Sequence, residues 1–215
     1  MPLASGIVES YLATAAAVAP LLRTPELADR WDQPSALAEM SVSGLAGHLA
    51  RSVFNVERHL DTPLLEGLEP LNVVSYYVGG GDPDAPLDDP AKVRIRAVSE
   101  QEAAGGPEVL ADRYDEALAR LAVRLPMLPE DHLVTVFDRW VLPLGESLAT
   151  RMIELTVHLD DLAVSLGLPT PEIPDDAADV VVSALALIAR RRRGTWPLVR
   201  GLSRRERQAG LITAF

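Results

Sequence analysis

Cysteine is absent from all 215 residues, which excludes disulfides, thiolate metal sites and a thiol nucleophile carried by the chain itself. Any thiol chemistry must therefore come from a bound small molecule. Lysine is nearly absent too: Lys92 is the exception among twenty basic residues, an arginine bias we attribute to genome composition. No uninterrupted apolar run reaches the roughly eighteen residues that a membrane-spanning helix needs. Ile7 to Leu22 is apolar on one face, but Glu9, Ser10 and Thr14 interrupt it and no basic residue precedes it, so it does not read as a secretory signal. The expectation is a soluble, cytoplasmic protein with no membrane partner.

What is present is an Ala/Leu-rich chain, 48% hydrophobic and long enough for one domain with a sizeable core. The net charge of −11 is unevenly spread. Residues 190–207 hold eight arginines against one glutamate, a local +7 that leaves −18 on the rest. So acidic a body repels nucleic acid, and none is expected as partner. The arginine-rich tail reads as a solvated helix pairing with that body. The sharper reading is an anion-binding edge or lid over the site.

Helical periodicity dominates. A first helix is expected from Ser5 to about Leu22, ending near Pro20 and Pro25. A second runs from about Ser43 to Leu60 and stops before Pro63, with Ser41 or Ser43 as N-cap. Residues 61–90 are rich in Pro, Gly and Asp, and Gly79-Gly80-Gly81 reads as a flexible turn, since it lacks the lysine of a phosphate loop. Tyr76 and Tyr77 could line a pocket or simply pack. From Ala91 to Leu125 the helical pattern resumes, broken near Gly105-Gly106-Pro107. Leu133 to Phe137 is strand-like in composition but has no evident partner, so an extended connector is expected. A further helix starts near Leu144 and ends at Gly167. After Pro169, Pro171 and Pro174, a last helix runs from about Asp175 to Arg192, its acids and arginines placed as the helix dipole prefers. The fold class is all-α: four long helices with an appended helical tail.

The helix after Pro143 carries the candidate site. Glu154 and His158 are four residues apart, so they share a face, with Cβ atoms roughly 5–6 Å apart, and can hold one cation. Met152, Leu155, Leu159, Leu162 and Leu166 form the packed stripe beside them. A carboxylate there is costly to bury unless a metal or cation accompanies it. His48, near the start of the second helix among Leu45, Leu49 and Ala50, is the third candidate. The bland alternative is a core histidine. Two histidines and one glutamate leave a coordination position open, the pattern of a catalytic metal site. His59 lies about 16 Å further along that helix and cannot share the ion. His132, just after two acids, reads as a solvated turn residue.

The segments SVSGLAGHLARSV and TRMIELTVHLDDLAVSLG resemble the two signature helices of the mycothiol-dependent maleylpyruvate isomerase N-terminal family, a branch of the DinB-like helical bundles. The resemblance covers roughly residues 5–168 and implies a DinB-like four-helix bundle over 1–168 with a helical, arginine-rich extension over 169–215. It implies a divalent metal, with zinc expected, on His48, Glu154 and His158, and mycothiol as thiol cofactor. It also leads us to expect Trp31 near the site, and Trp31 and Arg51 are the candidate cofactor-binding residues. The sequence RRRRGTWPLVRGLSRRERQAGLITAF is similar to the short tail of a subgroup of these proteins. The isomerase itself carries a larger C-terminal domain, whereas 47 residues follow Leu168 here, so the resemblance implies a thiol-dependent transferase or isomerase without fixing the reaction.

A free thiol of pKa near 8.5 is only a few per cent ionised at pH 7, and full ionisation costs roughly 2 kcal/mol. Metal coordination removes that barrier. The partners expected are then a small-molecule thiol and a small electrophile, and a homodimer is left open. Asp161, three residues past His158, is the candidate to orient a ligand or take a proton. Arg151 could bind a carboxylate of thiol or substrate, or pair with Glu154. Two other classes stand beside this one: a metal-dependent hydrolase using activated water, and a bundle that binds metal or a small molecule without turnover.

Overall fold

The computed structural model describes residues 6–207 and 210–214; Met1–Ser5, Gln208, Ala209 and Phe215 lie outside them. The expected helix start at Ser5 and part of the tail therefore fall outside the described residues. Four helices form a ring: α1 (Ile7–Val18), α3 (Val42–Asp61), α6 (Pro107–Arg124) and α7 (Leu144–Leu166), with α7 and α6 each packed on both α1 and α3. The short α2 (Pro25–Asp29) follows α1, and the expected first helix breaks at Val18, before a separate turn at Leu21–Arg23. The core is continuous across the ring: Leu45, Leu49 and Val53 of α3 and Leu148, Met152 and Leu155 of α7 belong to one buried cluster. Buried tyrosines tie it crosswise: the Tyr114 hydroxyl donates to the Ala15 carbonyl (2.8 Å) and that of Tyr11 to the Ser52 carbonyl (3.2 Å).

Helix α5 (Pro90–Ala103) packs along α3 on the outside of the ring. Glycine makes that approach possible. A Cβ at Gly47 would lie 2.2 Å from the Ser99 carbonyl oxygen, well inside van der Waals contact. The start of α3 is secured by the same neighbour: Ser41 accepts the Gly44 N–H (2.9 Å) as N-cap and donates to Glu100 of α5.

The sequence pattern missed two elements that flank the site. Leu133–Val136 (β1) is a paired strand rather than a connector; it runs antiparallel to β2 (Trp140–Pro143), with Val134 opposite Leu142 and Thr135 opposite Val141. The turn between them has neither Gly nor Asn. Instead Phe137 and Asp138 take φ of 53° and 52°, and the Phe137 ring packs edge-on to His59 (5.0 Å) and under the Arg151 guanidinium (5.6 Å). Within the stretch expected to be irregular, Val73–Gly79 forms α4, begun by the Asn72 side chain accepting the Ser75 N–H (2.9 Å). Its first amide, Val73 N–H, donates to Glu146 on α7 (2.7 Å).

The boundaries read for the site helix agree closely with α7, which ends at Gly167 with φ 72°. Helix α8 (Asp175–Arg193) packs on α1, α4 and α7, and α9 (Thr195–Ser203) turns back against it. No helix among the described residues is long and apolar enough to cross a membrane.

Candidate metal centre

The seam between α3 and α7 brings His48, Glu154 and His158 together, with one ligand-type atom from each within 4.8 Å of the others. Glu154 Oε2 lies 3.4 Å from His48 Nε2 and 3.5 Å from His158 Nε2. The two imidazoles meet edge to face at 4.6 Å. The side chains remain 18%, 20% and 16% exposed, so the cluster opens to solvent on one side instead of being sealed in the core.

Each ring is oriented from behind. His158 Nδ1 is 2.9 Å from Asp161 Oδ2, the contact expected from their three-residue spacing. His48 Nδ1 is 3.2 Å from Ser99 Oγ on α5. Ser99 spends its hydroxyl proton on the Ile95 carbonyl (2.7 Å), so its oxygen accepts and His48 donates. Both Nδ1 atoms thus carry protons, and both Nε2 atoms turn toward the same carboxylate oxygen. Three electron-pair donors converging at such distances, with their far sides tied by hydrogen bonds, are the arrangement a divalent cation completes.

The electrostatics agree. Burial alone would raise the Glu154 carboxyl, but the hydrogen bond from His158, the adjoining His48 ring and the Arg151 charge hold it well below the usual range. Burial pushes His48 down. For His158, burial is outweighed by hydrogen bonds to Asp161 and Glu154, which push it up to about 9. That raised value keeps the second ring proton on His158 near neutrality.

The remaining candidates fall at different depths. Arg151 is 5% exposed and donates to Thr150 Oγ1 (3.0 Å), so it acts on Glu154 through space from within the core, not at the open face. Arg51 donates to the same Ser99 oxygen (3.3 Å), one turn from His48. Trp31 is half-buried just after α2, its carbonyl accepting the Ser43 N–H (2.9 Å) and its ring against the core. His59 is buried beside Phe137 and away from the cluster, and His132 is exposed in a turn, both as read. Two contributors were not singled out from sequence. Ser99 gives no local signal, because its role arises only from the packing of α5 on α3. The sequence leaves Tyr77 open between pocket and packing; its hydroxyl donates to Glu154 Oε1 (2.7 Å) and also reaches the Thr150 carbonyl (3.2 Å).

Comparison with known proteins gives a consistent frame. The model of the mycothiol maleylpyruvate isomerase N-terminal domain matches residues 11–163. Among solved structures, the crystal structure of the mycothiol-dependent maleylpyruvate isomerase is similar at a TM-score of 0.55 and 19% identity, over 89% of this chain and 71% of that one. At that identity the likeness establishes the fold, an all-α, DinB-like four-helix bundle with a helical extension. Comparison with curated proteins gave no match.

Proposed function

The chain belongs to the mycothiol maleylpyruvate isomerase N-terminal domain family, and from that premise we propose that it is a metal-dependent enzyme using a small thiol of the mycothiol type against a small electrophile. The observation that carries this reading is the donor set: two Nε2 atoms and Glu154 Oε2 facing one point, with both Nδ1 protons occupied elsewhere. His48, Glu154 and His158 fit a divalent ion, with zinc expected from the nitrogen and oxygen ligands and the three-ligand set. When bound, such an ion supplies a Lewis acid that holds an incoming thiol as its thiolate. With no cysteine in the chain, that thiol comes from solution.

The protein's own groups do the rest. Asp161 fixes the His158 tautomer and Ser99 that of His48, so neither ring must reorient when ligating. With the two histidines, buried Arg151 helps to keep Glu154 ionised without occupying the open side. Thiol and electrophile then meet at the exposed face, with Arg51, bound to the same Ser99 oxygen as His48, as the candidate to contact the cofactor. Residues 1–168 are assigned to the metal-binding bundle and 169–215 to its extension.

The test is metal content of untagged protein and of the variants His48→Ala, Glu154→Ala and His158→Ala. The expected result is about one equivalent of zinc in wild type, lost in all three, with turnover of an electrophile that requires added mycothiol. Metal-free wild type that takes none up on dialysis would overturn the reading. Zinc-dependent hydrolysis indifferent to thiol would replace it with a hydrolase.

A further inference from the structure

We infer that the arginine end of α8 positions Glu154 through Tyr77, making Arg192 and Tyr77 positioning residues of the metal centre. The inference rests on the reading of Glu154 as a ligand. A carboxylate is symmetric, and nothing in its own chemistry reserves one oxygen for a metal. Tyr77 breaks the symmetry: its hydroxyl holds Oε1 at 2.7 Å, which leaves Oε2 to face His48 and His158.

Tyr77 must itself be held. It sits near the end of α4, a helix of 7 residues that leads into Gly79-Gly80-Gly81. A helix so short has no stability of its own in water. Its start is fixed to α7 by the Val73 amide on Glu146. Its end is fixed by α8. Arg192 Nη2 donates to the Tyr77 carbonyl (2.5 Å) and to that of Gly81 (3.4 Å), while Arg193 places a two-pronged contact on Asp84 (2.7 and 2.9 Å). A cation at the carbonyl end of α4 is also where the helix dipole favours one. Carbonyl and hydroxyl of the same residue thus link the extension to the metal ligand, in the order Arg192, Tyr77, Glu154. Of the four consecutive arginines, Arg190 and Arg191 stay exposed; the next two form the latch.

The test compares wild type with Arg192→Ala, Arg192→Lys, Tyr77→Phe and the double variant Arg192→Ala/Tyr77→Phe. Arg190→Ala is the control that removes the same charge without touching the latch. Cobalt(II) is the probe, read by affinity and visible spectrum, and in metal-free protein the ring nitrogen shifts of His48 and His158 are recorded by NMR. Tyr77→Phe frees Oε1, so cobalt absorption should weaken and shift as both carboxylate oxygens engage, with affinity falling about tenfold. Arg192→Ala should move spectrum, affinity and ring shifts in the same direction, Arg192→Lys should restore part of the change, and the double variant should be no worse than Tyr77→Phe alone. Arg190→Ala should match wild type. Wild-type spectrum and ring shifts in Arg192→Ala would overturn the latch, as would full additivity in the double variant. If wild type takes up no cobalt, the metal reading falls, and the metal-free ring shifts alone then decide the latch.

Discussion

His158 carries the pH dependence of the site. Its metal-free pKa is raised to about 9, so near neutrality an incoming ion must displace a proton from Nε2. Lower pH protonates the ring more fully and weakens binding. Apparent affinity should therefore rise by up to about tenfold per pH unit from 6 toward 9 and level off above it. Calorimetry in buffers of different ionisation heat should register close to one proton released at pH 7; a flat affinity profile would contradict the assignment. The same ring gives a sharper substitution. Asp161→Asn replaces an acceptor with an amide that can donate to Nδ1, which drives the ring proton onto Nε2 and blocks the ligand lone pair. Zinc affinity should fall 10- to 100-fold, and at pH 7 metal-free protein should melt lower as well, because the Asp161 hydrogen bond is the largest contact holding the proton on His158. Glu154, His158 and Asp161 were legible because helical spacing alone places them together. Ser99 was not, since 51 residues separate it from the histidine it orients.

At the scale of elements, a Cβ at position 47 meets the Ser99 carbonyl at 2.2 Å, and α5 cannot stay where it is. Gly47→Ala adds the higher helix propensity of alanine, about 1 kcal/mol. Overpacking against backbone costs about 1–3 kcal/mol and removes that gain. The distinctive consequence is functional, for a displaced α5 carries Ser99 away from His48. Melting temperature and zinc affinity should fall together in Gly47→Ala, while Ser99→Ala should lower affinity with a smaller loss of stability. Unchanged affinity in Gly47→Ala would show that α5 does not orient His48. The ends of α7 could be read because proline precedes it and glycine closes it. The β1–β2 hairpin and α4 could not. The hairpin turn depends on Phe137 being gripped by His59 and Arg151, and α4 on a cap and a tether to α7, none of which leaves a periodic trace.

For the whole molecule the question is whether the metal builds the fold or only uses it. The apolar core runs unbroken through α1, α3, α6, α7 and α8, and the proposed ligands lie at its edge, not at its centre. The bundle is therefore expected to stand without metal, unlike small zinc domains that unfold when stripped. Chelator-treated protein should keep its helical circular dichroism and melt cooperatively. Metal should still stabilise it, because the ligands come from two helices of the ring and come together only in the folded state. At a thousandfold excess over Kd that linkage is worth about 4 kcal/mol, or roughly 10 °C in a chain of this size. The gain should also depend on pH. The folded pKa of His158 lies above its unfolded value, so the metal-free fold draws full stability from that proton below about pH 6.5 and loses it as pH rises through about 9. Zinc, which needs the proton gone, should accordingly raise the melting temperature more at pH 8.5 than at pH 6.5, and Glu154→Gln should abolish the increment at both. An increment equal at the two pH values would mean that the ion does not compete for His158. Loss of helix on chelation would mean that the metal is structural and that the bundle is assembled around it.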